Sequence, residues 1–87
     1  MSLISVLKRC RELTKASQDS DWAAMSVSEI LVVLDRGISA TESGKELNHD
    51  ELTLLFGPTG SLQETSIVNG WGDEFLSLST KFDDLIM

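Results

Sequence analysis

Residues 20–40 read SDWAAMSVSEILVVLDRGISA, and the rest of the chain is organised around this run. Its apolar side chains recur at steps of three and four, which places them on one helix face because a turn takes about 3.6 residues. They are Ala23, Val27, Ile30, Leu31, Leu34 and Ile38. The run therefore predicts a central helix over 20–40. Val33 lies off that face, which indicates burial from a second direction.

The sequence offers two starting points for this helix. Ser20, or Asp19 just before it, can accept a hydrogen bond from the free amides of a first turn. Ser26 and Glu29 have the spacing of a capping box, which would move the start to Val27 and leave a short turn before it. The main prediction starts at Ser20, and the later start stays open as its alternative.

Two further residues of the run carry expectations of their own. Trp22 falls in the first predicted turn, where a tryptophan usually packs as a lid over the core with its indole N–H reaching a polar partner. Gly37 lies near the far end, where a residue without Cβ can adopt a left-handed backbone and stop the helix.

Four other segments are predicted to be helical. An apolar stripe with basic residues beside it marks a first helix over 2–17, and we expect Cys10 to be buried in that stripe. A capping box at Asn48 and Glu51 marks a helix over 48–56, which Gly57 and Pro58 end. Regular apolar spacing over 71–86 marks the last helix, whose stripe is Trp71, Phe75, Leu78, Phe82 and Leu85.

The stretch over 61–69 has the weakest apolar content of the five. Ser61 and Glu64 have capping-box spacing, and Asn69-Gly70 can close a short helix in left-handed geometry. The alternative is a β-hairpin that turns at Asn69-Gly70, but the residues before that turn are too polar for a good strand. The sequence thus predicts an all-α fold, a compact bundle of four to five helices in a single domain over 1–87.

Charge is distributed unevenly along the chain. The 14 acidic and 7 basic residues give a formal net charge of −7, yet most of the bases lie in the first 17 residues. An acidic body disfavours nucleic acid and anionic membranes and suits either solubility or a basic protein partner. The basic first helix resembles an organelle presequence or a membrane-surface helix, or it is a bundle helix whose bases pair with acids elsewhere. We expect the bundle helix.

Motifs that carry chemistry are lacking. The sequence has no G-x-S-x-G, no phosphate loop and no cluster of cysteine and histidine at ligand spacing. We therefore nominate no catalytic, cofactor-binding or metal-binding residue and expect that the chain is not an enzyme. His49 is expected to be an exposed first-turn residue. A single cysteine cannot form an internal disulfide, and with no signal peptide or membrane span the expected location is the cytoplasm.

The last helix gives the one hint of function. Asp83 and Asp84 fall in its last turn, where the helix dipole disfavours negative charge, so either a base of the first helix neutralises them or a partner requires them. With Asp73 and Glu74 they are the candidate partner contacts, and Trp71 joins them as an anchor if it is exposed.

Three functions remain open at this point. The first is a small acidic protein-binding module, of the inhibitor, immunity or adaptor type, that presents its acids to a basic protein. The second is a structural homodimer or assembly subunit that uses the leftover apolar side of the central helix, with Val33 and Met25 in the interface. The third is a binder of a small ligand.

Overall fold

A computed structural model describes residues 1–58 and 60–86, and it confirms the all-α class. The helices are α1 (Leu3–Lys15), α2 (Val27–Glu42), α3 (His49–Phe56), α4 (Ser61–Val68) and α5 (Gly72–Ile86). No strand occurs in these two ranges, which rules out the hairpin alternative. α1 packs against α2 and α5, and α4 packs against α3 and α5. One cluster of buried apolar side chains draws members from all five helices.

The first helix has the predicted stripe. Val6, Leu7 and Cys10 are fully buried, and Leu13 packs at the edge of the core. The helix begins after Ser2, whose side-chain oxygen accepts a hydrogen bond from the Ser5 amide. The apolar residues thus fix α1 in the bundle and leave its basic residues on the surface.

The central helix begins at Val27 and not at Ser20. Ser26 and Glu29 form a complete capping box, which confirms the alternative start. The carboxylate of Asp19 still accepts a hydrogen bond from a first-turn amide, that of Val27 at 2.7 Å, but it does so from outside the helix. Residues 16–26 therefore form an irregular connection between α1 and α2.

Gly37 does not stop the central helix, so that prediction is wrong. The helix runs on to Glu42, and Gly44 takes the left-handed backbone beyond it, with φ at +69°. Gly37 is buried in the helix, where an added Cβ would lie 3.3 Å from Leu7 Cδ1 and 3.5 Å from Leu52 Cδ2. The missing side chain lets α1 and α3 approach α2 closely.

An aromatic stack joins α3 to α5. The rings of Phe56 and Phe82 are nearly parallel with centroids 4.2 Å apart, and Phe75 stacks on the other side at 6.2 Å. Ser79 Oγ donates a hydrogen bond to the Phe56 carbonyl at 3.0 Å, which satisfies one of the free carbonyls at the end of α3. α5 therefore contacts α3 in two ways, through the stacked aromatic rings and through a hydrogen bond to the carbonyl of the last residue of α3.

The fourth helix buries polar residues and exposes apolar ones. Thr65 and Ser66 are fully buried, whereas 57% of Ile67 and 53% of Val68 are exposed. Ser61 is not the N-cap that its spacing predicted. Gly60 takes that position, and Ser61 Oγ accepts a hydrogen bond from the Met25 amide at 3.1 Å.

The irregular connection over residues 16–26 runs alongside α4 in the opposite direction. Residue 25 contacts the start of α4, and Gln18 exchanges two hydrogen bonds with Asn69 at its end, at 2.9 and 2.8 Å. A non-helical backbone needs polar partners, and α4 supplies them. α4 therefore meets the connection through Ser61 at its start and Asn69 just beyond its end, whereas the buried Ser66 hydroxyl donates to the Gln63 carbonyl of its own helix.

Gly60 is required for a steric reason. Its φ is −70°, which any residue adopts, but an added Cβ would lie 2.6 Å from the Leu54 carbonyl oxygen and 3.0 Å from that of Leu55. The chain after α3 thus folds back over the exposed carbonyls of that helix. Backbone atoms cannot move aside as a flexible side chain can.

Candidate interaction surface

Three of the four basic residues of α1, all except Lys15, pair with acids of other helices, as expected for a bundle helix. Lys8 Nζ lies 3.5 Å from a carboxylate oxygen of Glu42, and Arg11 pairs with Asp35. Both acids belong to α2, so these pairs lie across the contact between the first two helices. We call these two ion pairs, together with the contact between Arg9 and Glu74, the paired region.

Arg9 forms a two-pronged contact with Glu74 at the start of α5. Nε and Nη2 donate to the two carboxylate oxygens at 2.6 and 3.0 Å, while Nη1 donates to Glu12 on its own helix at 2.9 Å. The hydrogen bonds from Arg9 lower the pKa of Glu74, and those to Glu74 raise the pKa of Arg9. Glu74, one of the candidate partner contacts, is thus bound within the fold.

The other three acidic candidates lie outside these ion pairs, and Lys81 on the same helix is the base nearest to them in sequence. Asp73, Asp83 and Asp84 are exposed, and none of them forms an ion pair with a residue in the described ranges. Of the bases of α1, one of the two possible sources of counter-charge, Lys8, Arg9 and Arg11 are bound to Glu42, Glu74 and Asp35, and Lys15 forms no ion pair with a described residue.

These acids share one side of α5 with an exposed leucine. Helical spacing places them within about 100° of one another, opposite the buried phenylalanines. Leu76 lies among them with 55% of its surface exposed. We call this side the α5 outer face, and it consists of Asp73, Leu76, Thr80, Asp83 and Asp84.

Trp71 does not meet the condition for a partner anchor. It is 8% exposed, and its indole Nε1 donates to Ser17 Oγ at 2.9 Å. Its ring meets that of Phe75 edge-on, with centroids 6.4 Å apart. Trp71 therefore belongs to the core and fastens the connection after α1 to the start of α5.

Trp22 has the exposure that Trp71 lacks. The expectation that it covers the core is wrong, because 81% of it is exposed. The expected lid position depended on a helix that starts at Ser20. In the actual turn, Ser20 is buried and accepts hydrogen bonds from the Trp22 amide through its Oγ and from the Ala23 amide through its carbonyl, both at 3.2 Å.

An apolar groove of about 340 Å³ lies beside this turn. Ala24 and Met25 form one edge, and Leu54 and Leu55 of α3 form another, with Leu54 77% exposed. The groove is completed by Val33, Glu51, Gly60 and Ser61. Helical spacing puts Leu52, Leu55 and Phe56 on one face of α3 and Leu54 on the other, so the exposure of Leu54 could have been predicted from the sequence.

The residues named for a homodimer interface lie mostly inside the fold. Val33 is 4% exposed and Met25 packs half-buried against the core. The exposed apolar residue of α2 is Val32, at 54%. Val33 and Met25 therefore offer little surface to a subunit interface.

A larger groove of about 910 Å³ lies over the contact between α1 and α2. Lys8, Arg11 and Lys15 line it together with Glu12, Asp35 and Glu42, so its charges balance. Two of its bases are already bound to two of its acids. Glu12 is bound to Arg9, so Lys15 is the base of this groove that forms no ion pair with a described residue.

The remaining reactive groups are kept apart. Burial raises the pKa of the Cys10 thiol to about 12, which keeps it protonated, and His49 is exposed at the start of α3. No group of three or more potential metal ligands occurs within residues 1–58 and 60–86. Over the same residues no helix is both long and apolar enough to cross a membrane.

Comparison with known proteins finds no family model, no curated protein and no solved structure that matches this chain.

Proposed function

We propose that this chain is a protein-binding module, of the inhibitor or adaptor type, that presents an acidic surface to a basic partner. The observation that carries the proposal is the fate of the bases in α1. Lys8, Arg9 and Arg11 are bound within the fold, so they do not neutralise Asp83 and Asp84.

Acids at the end of a helix reduce its stability, because they face the negative end of the helix dipole. Asp83 and Asp84 occupy that position on α5 without an ion pair to any described residue. A basic partner would supply the missing counter-charge. Complementary charge speeds encounter and orients the two proteins, and Leu76 adds apolar surface among the acids.

The proposed role is binding and not catalysis, and the proposed setting is the cytoplasm. The single cysteine is buried and protonated, so the chain needs no oxidising compartment for its fold. The net charge of −7 disfavours nucleic acid as the partner.

The test is affinity capture from native lysate at low salt, with elution by a salt ramp. Wild type is compared with the variant Asp83→Lys with Asp84→Lys. The matched control, Glu46→Lys with Glu64→Lys, changes the net charge equally at two acids that form no ion pair with a described residue and lie off the α5 outer face. We expect one basic protein to be retained by wild type and control and lost with the α5 variant. Equal retention by all three would refute the proposal for this face.

A further inference from the structure

Trp22 is exposed on a backbone that is held in place. Its turn is closed by the two hydrogen bonds to the buried Ser20, and the chain after it is tied by the Met25 amide to Ser61 Oγ. The Val27 amide is tied to Asp19. An aromatic side chain presented from a fixed turn loses little backbone freedom when a partner covers it.

The turn that carries Trp22 lies beside the apolar groove. Two residues span at most about 7 Å, so the Cα of Trp22 lies within that distance of the Cα of Ala24, which lines the groove. Leu54 on the opposite edge is 77% exposed. Tryptophan is one of the residue types that dominate binding hot spots, and Leu54 adds exposed apolar surface to the groove.

The charged residues near the groove indicate which kind of protein segment it binds. Glu51 is the charged residue in its lining, and Arg36 neutralises it with a hydrogen bond of 2.6 Å. Asp21 precedes Trp22, and Asp50 lies one turn before Leu54 on α3. Both are exposed and form no ion pair with the described residues.

A second copy of the chain fits poorly, because it would bring another net charge of −7 to an already acidic rim. A basic segment with a bulky apolar side chain fits both the groove and its rim. We propose that the groove beside Trp22, which we call the Trp22 groove, binds such a segment of the partner protein. This inference rests on the proposed function and names the kind of partner segment that is recognised.

The direct test is a titration of the ¹⁵N-labelled protein with a short amphipathic peptide made only of lysine and leucine. The two indole N–H groups serve as reporters, one at the groove and one, Trp71, buried against Ser17. We expect the resonances of Trp22, Ala24 and Leu54 to shift while the Trp71 indole does not. A peptide with glutamate in place of lysine should bind at least about tenfold more weakly.

Two variants remove the edges of the groove, Trp22→Ala and Leu54→Ser, and each should weaken binding of the lysine–leucine peptide about tenfold. The control is Val68→Ser, which removes a similarly exposed apolar residue from α4. It should leave the affinity unchanged. Because Trp22 and Leu54 are largely exposed, none of these variants should unfold the protein.

The outcomes separate this inference from the function on which it rests. Shifts confined to the α5 outer face, with no effect of Leu54→Ser, would overturn the groove and leave an acidic binding module. Equal binding of the glutamate peptide would overturn both. A concentration-dependent dimer by light scattering, abolished by Leu54→Ser, would mean that a second copy covers the groove and would overturn the proposed partner.

Discussion

The paired region and the two open surfaces of this molecule use charge in opposite ways. Across α1, α2 and the start of α5, bases meet acids within the fold, as in the contact of Arg9 with Glu74. On the α5 outer face and beside the Trp22 groove, acids remain without counter-charges next to exposed apolar side chains. Charges of the first kind support the bundle, whereas those of the second kind do not. We therefore expect a partner to bind where acids form no ion pair within the fold.

The largest difference is expected between two neighbouring leucines of α3, one in the core and one on an open surface. Leu55 is 3% exposed and Leu54 is 77% exposed. We expect Leu55→Ala to lower the free energy of unfolding by about 2–5 kcal/mol, because it leaves a cavity, and Leu54→Ala to change it by less than about 0.5 kcal/mol. Urea denaturation measures both. A large loss with Leu54→Ala would make Leu54 a structural residue and break the contrast.

The next effect concerns the floor of the Trp22 groove. Gly60→Ala places a Cβ 2.6 Å from the Leu54 carbonyl oxygen, so the link between α3 and α4 must shift. We expect a loss of about 1–3 kcal/mol in urea denaturation. Gly44→Ala is the control for open space, since nothing lies within 4 Å of its added Cβ, although its φ of +69° adds backbone strain. A neutral Gly60→Ala would mean that the backbone around Gly60 can move away from the Leu54 carbonyl.

Two buried hydroxyl groups lack hydrogen-bond partners in the part of the chain that the structure describes, unlike the charged groups of the paired region. Thr14 Oγ1 in α1 and Thr65 Oγ1 in α4 have no hydrogen-bond partner among the described residues. Valine has nearly the same shape without the hydroxyl, so Thr14→Val and Thr65→Val should each raise the free energy of unfolding by about 1 kcal/mol. Thermal unfolding measures the change. Destabilisation by either variant would show that its hydroxyl is bound in solution.

The smallest effects should have opposite signs at the two ends of α5. Glu74→Gln removes the contact with Arg9 and should destabilise slightly, whereas Asp84→Asn removes a charge from the negative end of the helix dipole and should stabilise by a few tenths of a kcal/mol. Because the pKa of Glu74 is lowered in the fold, its contribution is present above the ordinary glutamate pKa of about 4.3. It is lost as the pH falls through the lowered value.

The pH dependence provides the check on this last pair. The stability difference between wild type and Glu74→Gln should shrink as the solution is acidified below about pH 4. Urea denaturation at several pH values measures it. A difference that stays constant with pH would mean that the contact acts through packing and not through charge.

Local patterns were sufficient where neighbours in sequence determine the structure. The stripe of α1 and the bounds of α3 follow from helical spacing and from a cap at Asn48, whose side chain accepts the Glu51 amide at 3.1 Å. The capping box at Ser26 and Glu29 was equally local, and it gave the correct start of α2. Each of these signals lies within a few residues of the backbone that it shapes.

Prediction failed where the deciding partner is distant in sequence. Gly37 was assigned to a helix end because nothing nearby indicates that Leu7 and Leu52 pack against it. Ser61 was assigned as a cap, but its oxygen is engaged by the Met25 amide. Trp22 is the exception, because the turn that exposes it is closed by Ser20 only two residues earlier.

The contact between the first and last helices has a consequence for synthesis of the chain. Arg9 and Glu74 are 65 residues apart, and Ser17 and Trp71 are 54 residues apart. At the usual rate of translation, roughly 3–13 s separate the appearance of Arg9 from that of Glu74. During that interval α1 has α2 to pack against but not α5. The nascent bundle therefore exposes part of its core to chaperones until the last helix leaves the ribosome.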